Sequence, residues 1–297
     1  MSRAQRAALD TMVRSSPAPA AASIEEARAG YEAFLATFPV PDGISGATVR
    51  LGGRPALEVT PDAGGRGGTI LFFHGGAWVQ GSPAGYLSLV GNLVAGTGVR
   101  ALAVDYRLAP EHPFPAAVED TLAAYRGLLD RGTDPAAVVF AGDSAGGGLT
   151  VTTALAAKRA GLPLPAGLVA FSPGFDVTWS GASMTERAAA DPIFTREALV
   201  SIVAPYLGAA DPVQELLSPA LTGDLGGLPP MLLQVGGNEV LLDDSVRLAA
   251  RARAADVDVV LDFVAGVPHV FQLHTRALDE ARAALERAAL FVRQCLG

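Results

Sequence analysis

The sequence predicts an α/β fold, a mostly parallel sheet of about eight strands with helices on both faces and a helical cap. Three observations lead there. Apolar runs near residues 69–74, 100–105, 137–142, 167–171, 230–235 and 258–264 alternate with stretches of helical spacing. Between Phe140 and Gly147 one such run breaks at a glycine-flanked serine and passes directly into a helix-like stretch. Half of the 297 residues are hydrophobic, enough to bury one large core.

In chain order, residues 1–45 read as an N-terminal cap segment. Ser23 is placed to cap a helix running to about Phe38, with Tyr31, Phe34 and Leu35 on its apolar face. Residues 46–176 form the first part of the core. It begins with strands near 47–51 and 55–60 as an antiparallel edge, while the Arg54-Pro55 break and the Gly-rich stretch 61–68 read as surface turns. Residues 177–216 interrupt the alternation as a cap insertion, with Thr195 as a helix start. Phe194 and Tyr206 in it can line a ligand pocket or simply pack. Residues 217–297 complete the core.

Gly142-Asp143-Ser144-Ala145-Gly146 follows a short buried strand and precedes a helix, the setting a nucleophilic serine needs. At such a sharp bend the hydroxyl points outward, and glycines let neighbouring backbone approach. Upstream, the strand from Thr69 ends in His74-Gly75-Gly76-Ala77-Trp78. Backbone N–H groups in such a loop stabilise the negative oxygen that forms when a serine attacks a carbonyl, by about 3 kcal/mol per donor. Gly75, Gly76 and Ala145 are the expected donors of this oxyanion hole.

The base is sought among His74, His112, His269 and His274. A serine of this turn type is followed in the chain first by its acid and then by its histidine, which excludes the first two. His74 is read as a brace for the oxyanion loop. His269 follows a strand and a Gly-Val-Pro turn, whereas His274 is expected inside the next helix. The orienting acid is expected after the 230–235 strand, where Glu239 is preferred and Asp243 stays open.

With these motifs in hand, the chain resembles the bacterial hormone-sensitive-lipase-like carboxylesterases, esterase family IV, of the α/β-hydrolase superfamily. The resemblance spans about residues 50 to 290 and rests on the His74 and Ser144 motifs, the stretch Asp105 to Ala117 containing Tyr106-Arg107-Leu108-Ala109-Pro110-Glu111-His112, Ser172-Pro173 with Asp176, Asp191-Pro192, and Leu228 to Asp243. Two positions depart from the family pattern. Ala77 stands where a third glycine is usual, and Glu239 where the acid is more often aspartate. The resemblance implies a serine carboxylesterase for short to medium acyl esters, with a lactone or acetyl-amide hydrolase on the same triad as the alternative and a non-catalytic small-molecule binding protein as a distant one. Homodimers are common in that family, and an edge strand or the last helix is where one is expected.

Other classes are disfavoured. A net charge of −8 without a basic cluster gives no nucleic-acid footprint, and the single cysteine, Cys295, rules out an internal disulfide. No metal-ligand spacing, dinucleotide fingerprint or phosphate loop appears, so no cofactor and no metal are expected. With no leader-like or membrane-length apolar stretch, a cytoplasmic location is expected.

Overall fold

The computed structural model describes residues 2–16 and 22–297; residues 1 and 17–21 of the expected N-terminal cap segment lie outside it. Its centre is one eight-stranded sheet: β1 (Ile44–Leu51), β2 (Arg54–Pro61), β3 (Arg66–Phe73), β4 (Val99–Val104), β5 (Val138–Asp143), β6 (Gly167–Phe171), β7 (Met231–Gly236) and β8 (Val259–Val264). Their order across the sheet is β1-β2-β4-β3-β5-β6-β7-β8. Strands β3 to β8 run parallel, and β1 and β2 form the expected antiparallel edge.

The helices, in order, are α1 (Arg3–Ser15), α2 (Ile24–Leu35), α3 (Leu87–Thr97), α4 (Ala116–Leu129), α5 (Ser144–Arg159), α6 (Ser183–Glu186), α7 (Arg196–Leu207), α8 (Pro219–Thr222), α9 (Leu242–Ala254) and α10 (Asp279–Leu296). Alternate residues of one strand serve opposite layers. Leu71, Phe73 and Phe140 pack towards α4 and α5, while Ile70, Phe72 and Val139 pack towards α3 and α10. Burial on both faces explains why β3 to β7 carry continuous apolar runs, such as Ile70 to Phe73 and Met231 to Leu233, instead of alternating.

Two turns differ from expectation. The β1–β2 hairpin turns at Gly52 and Gly53, with φ of +56° and +82°, not at Arg54-Pro55. Pro55 is tolerated at the start of β2, where its carbonyl accepts the Asp105 N–H at 3.0 Å. His274 is not in a helix: it ends a short 3₁₀ turn, Phe271–Leu273, and its ring meets Phe38 edge-on at 5.1 Å.

Both expected helix starts hold. Ser23 Oγ accepts the Glu26 N–H, whose carboxylate returns to the Ala22 N–H, a reciprocal cap for α2. Thr195 Oγ1 accepts the Ala198 N–H at the start of α7. On α2, Leu35 is buried and Phe34 is half exposed, so the inward face is narrower than expected. Helix α1 inserts Leu9 among Val264, Val267 and Phe271. Among the described residues, no helix is long and apolar enough to cross a membrane.

Candidate active site

Parallel strands bring their carboxyl ends to one rim of a sheet, and ligand sites in open α/β sheets gather there. Here β3 leads into His74, β5 into Ser144, β6 into Ser172, β7 into the Glu239 loop and β8 into the His269 loop. Residues far apart in sequence therefore meet.

Ser144 sits at φ +51°, a left-handed conformation that a non-glycine residue adopts only when its surroundings force it. The glycines beside it supply that pressure. A Cβ on Gly146 would lie 2.0 Å from the Phe73 carbonyl oxygen, and one on Gly142 would lie 2.4 Å from that of Gly146. Helix α5 thus starts hard against the end of β3, with the serine side chain turned outward.

Ser144 Oγ lies 2.9 Å from His269 Nε2, and His269 Nδ1 lies 2.8 Å from Glu239 Oε2. Asp243 is engaged elsewhere, accepting the Ser183 N–H at 3.0 Å. Glu239 is wholly buried, and its Oε1 accepts from the Ser172 hydroxyl at 2.7 Å and from the Gly236 N–H. Ser172 Oγ in turn accepts the Val270 N–H at 3.0 Å, so one hydroxyl ties the acid to the residue after the histidine. Burial lowers the basicity of His269, but the Glu239 hydrogen bond and charge, with Asp191 and Asp143, outweigh it and leave its pKa above the ordinary 6.5.

Asp191 links the 177–216 segment to this arrangement. Its Oδ1 accepts the N–H groups of Ile193 and Phe194, and its Oδ2 accepts that of Val240, next to Glu239. The Phe194 ring meets His269 edge-on at 5.1 Å. Tyr206 instead stacks flat on Trp78, 4.6 Å between centroids.

On the other side of the serine lies the His74 loop. A Cβ on Gly75 would lie 2.3 Å from Asp143 Oδ2, so only glycine fits. Gly75 corrects one expectation: its N–H is donated to Asp143 Oδ1 at 2.9 Å and is not free for a substrate oxygen. The N–H groups of Gly76 and Ala77 have no acceptor among the described residues. That of Ala145 falls in the first turn of α5, where N–H groups lack helical partners. His74 Nδ1 lies 2.8 Å from the Gly75 carbonyl, which can only accept, so Nδ1 carries the proton. Burial holds the His74 pKa down at about 4, keeping the ring neutral. The Tyr106 hydroxyl donates to the His74 carbonyl at 2.6 Å, a supporting role for the Tyr106 to His112 stretch.

Ser172 and Asp191 were visible in sequence only as motif residues; nothing local marks what they bind. Among the described residues, no cluster of histidine, cysteine, aspartate and glutamate could hold a metal ion.

This arrangement of strands, serine turn and histidine loop is that of a hydrolase built on a mostly parallel sheet. The chain belongs to the α/β-hydrolase family, whose sequence model matches residues 70–273. It is 44% identical over 231 residues, 78% of this chain and 77% of the relative, to an acetyl-hydrolase of Streptomyces hygroscopicus. It is 35% identical to an esterase of Acinetobacter venetianus, covering 86% of this chain and 84% of that one. The crystal structure of an esterase from the bacterial hormone-sensitive lipase family superposes with a TM-score of 0.95 at 40% identity, over 100% of both chains.

Proposed function

We propose that the protein is a serine carboxylesterase that hydrolyses short to medium acyl esters through Ser144, His269 and Glu239. Its broader class, an esterase among the α/β-hydrolases, follows from the kinship with esterases and acetyl-hydrolases. The observation that carries the finer reading is the continuous hydrogen-bonded line from Ser144 through His269 to Glu239.

In this reading His269 takes the Ser144 proton as the oxygen attacks the ester carbonyl, and Glu239 fixes the imidazole tautomer and stabilises its charged form. The N–H groups of Gly76 and Ala145, with Ala77 in place of the occupied Gly75, receive the oxyanion. Collapse of the tetrahedral intermediate returns the proton to the leaving alcohol and leaves an acyl-serine. Water, deprotonated by His269, then releases the acid. Residues 177–216, with Phe194 beside His269, form part of the cap over the acyl group, and α1 and α2 form the rest. A homodimer through β8 belongs to the same reading, since β8 is an edge strand and Val260 and Phe263 on it are half exposed.

Hydrolysis of an aryl ester series of increasing acyl length, by the wild type and Ser144→Ala side by side, tests the reading. Turnover that peaks at short acyl chains and vanishes in the variant is expected. Turnover that survives in Ser144→Ala would end it.

A further inference from the structure

Helix α2 lies outside the sheet, yet two of its side chains reach the loop that follows β3. Arg28 and Tyr31 are three residues apart and so share a helix face. The Arg28 guanidinium donates to the Val79 carbonyl at 2.8 Å and to the Ala109 carbonyl at 3.0 Å, and both its terminal nitrogens pair with Glu111. The Tyr31 hydroxyl lies 2.7 Å from that of Tyr86, which donates to Asp143 Oδ2 at 2.8 Å. With the Tyr86 proton committed to the carboxylate, Tyr31 must be the donor to Tyr86. The other carboxylate oxygen, Oδ1, accepts the Gly75 N–H. Asp143 itself is wholly buried, and Tyr86 almost so.

The consequence follows from peptide geometry. The Gly75 N–H is held by Asp143 and the Gly75 carbonyl by His74. The carbonyl of Gly75 and the N–H of Gly76 belong to one planar trans unit and point in opposite directions. Fixing Gly75 at both ends therefore fixes the direction of the Gly76 N–H.

We propose that Asp143 is a positioning residue for the oxyanion hole, and that Tyr31 on α2 acts on the same hole through Tyr86 and Asp143. Asp143 touches neither substrate nor the reacting atoms; it orients the peptide whose neighbour does. The role depends on an acceptor at Oδ1 and not on a charge, because the protonated acid and an asparagine both keep that acceptor. The inference rests on the serine esterase reading.

The test compares kcat, KM and the affinity of phenylboronic acid, whose serine adduct places a negative tetrahedral centre in the hole, across Asp143→Ala, Asp143→Asn and Tyr31→Phe. Displacing the donor should cost Asp143→Ala about 100-fold in kcat with KM little changed, and boronate affinity should fall in parallel. Asp143→Asn should recover to within about 5-fold of wild type, and Tyr31→Phe, which removes one hydroxyl from a partly exposed ring, should lose roughly 5-fold in kcat. If Asp143→Ala does not fold, Tyr31→Phe and Asp143→Asn decide alone. Overturning results are Asp143→Asn losing kcat by 100-fold, or Tyr31→Phe lowering Tm while kcat and boronate affinity stay at wild-type values. A Ser144→Ala control separates the two readings: activity that survives it removes the esterase reading and this proposal with it, whereas Ser144-dependent activity indifferent to Tyr31 and Asp143 removes the proposal alone.

Discussion

The two flanks of Ser144 are braced by different chemistry. On the histidine flank the supports are anionic or donate to an anion: Glu239 behind His269, Ser172 donating to Glu239, and Asp191 across the loop. On the oxyanion flank the groups around the hole are neutral dipoles, a histidine held uncharged, the hydroxyls of Tyr106 and Tyr86 and backbone N–H groups, and the one carboxylate, Asp143, lies behind them on the Gly75 N–H and the Tyr86 hydroxyl. The proposed mechanism accounts for the contrast. One flank must stabilise an imidazolium, which an anion does well, and the other must receive a negative oxygen, which fixed dipoles do without rearranging.

Breaking the histidine flank at its centre should have the largest effect. His269→Ala is expected to lower kcat by roughly 10⁴- to 10⁶-fold while circular dichroism shows a folded protein. Comparable activity in the variant would remove His269 from the reaction. Next comes the acid. Glu239→Gln should cost on the order of 10²- to 10⁴-fold, and Asp243→Asn within about 5-fold; the reverse order would move the acid to Asp243.

The pH profile sharpens the same flank. Only neutral His269 can accept the serine proton, so kcat/KM should fall as pH drops through the His269 pKa, which lies above 6.5. Glu239→Gln removes the charge that raises it, and the acid limb should move to lower pH. A limb unmoved in that variant would show that another group sets it.

On the oxyanion flank, Gly76→Ala puts a Cβ 2.2 Å from the Gln80 carbonyl oxygen at a φ of +112°. The loop must shift, and kcat should fall by about 10²-fold with a smaller change in KM. The smallest effect on turnover is expected furthest away. Phe263→Glu on β8 should yield a monomer in analytical ultracentrifugation, with kcat within about 2-fold of wild type, and a wild type that sediments as a monomer would remove the dimer.

What was legible in the sequence follows the same division. The serine turn could be read because its requirements are local: Gly142, Ser144 and Gly146 crowd one another within five residues. Strands β3 to β8 could be read because apolar runs of their length have few other uses. The supports could not. Ser172 meets Val270 across 98 residues, Tyr86 meets Asp143 across 57, and Asp191 meets Val240 across 49, distances over which one sequence carries no pairing signal. Gly75 was misassigned because a Gly-Gly pair says that backbone comes close to something, not which N–H a buried carboxylate has already claimed. Pro55 was read as a break because a proline looks the same at a turn and at a strand's first residues.

The reach of α2 bears on how this protein can be trimmed, fused or recombined. A gene shortened to begin at Ile44 would still encode all eight strands and each of Ser144, Glu239 and His269, and would look intact to anyone checking motifs. It would lack Arg28 and Tyr31. Domain-swapping libraries that exchange the first helices between relatives, expecting to alter only substrate choice, would be exchanging part of the catalytic frame as well.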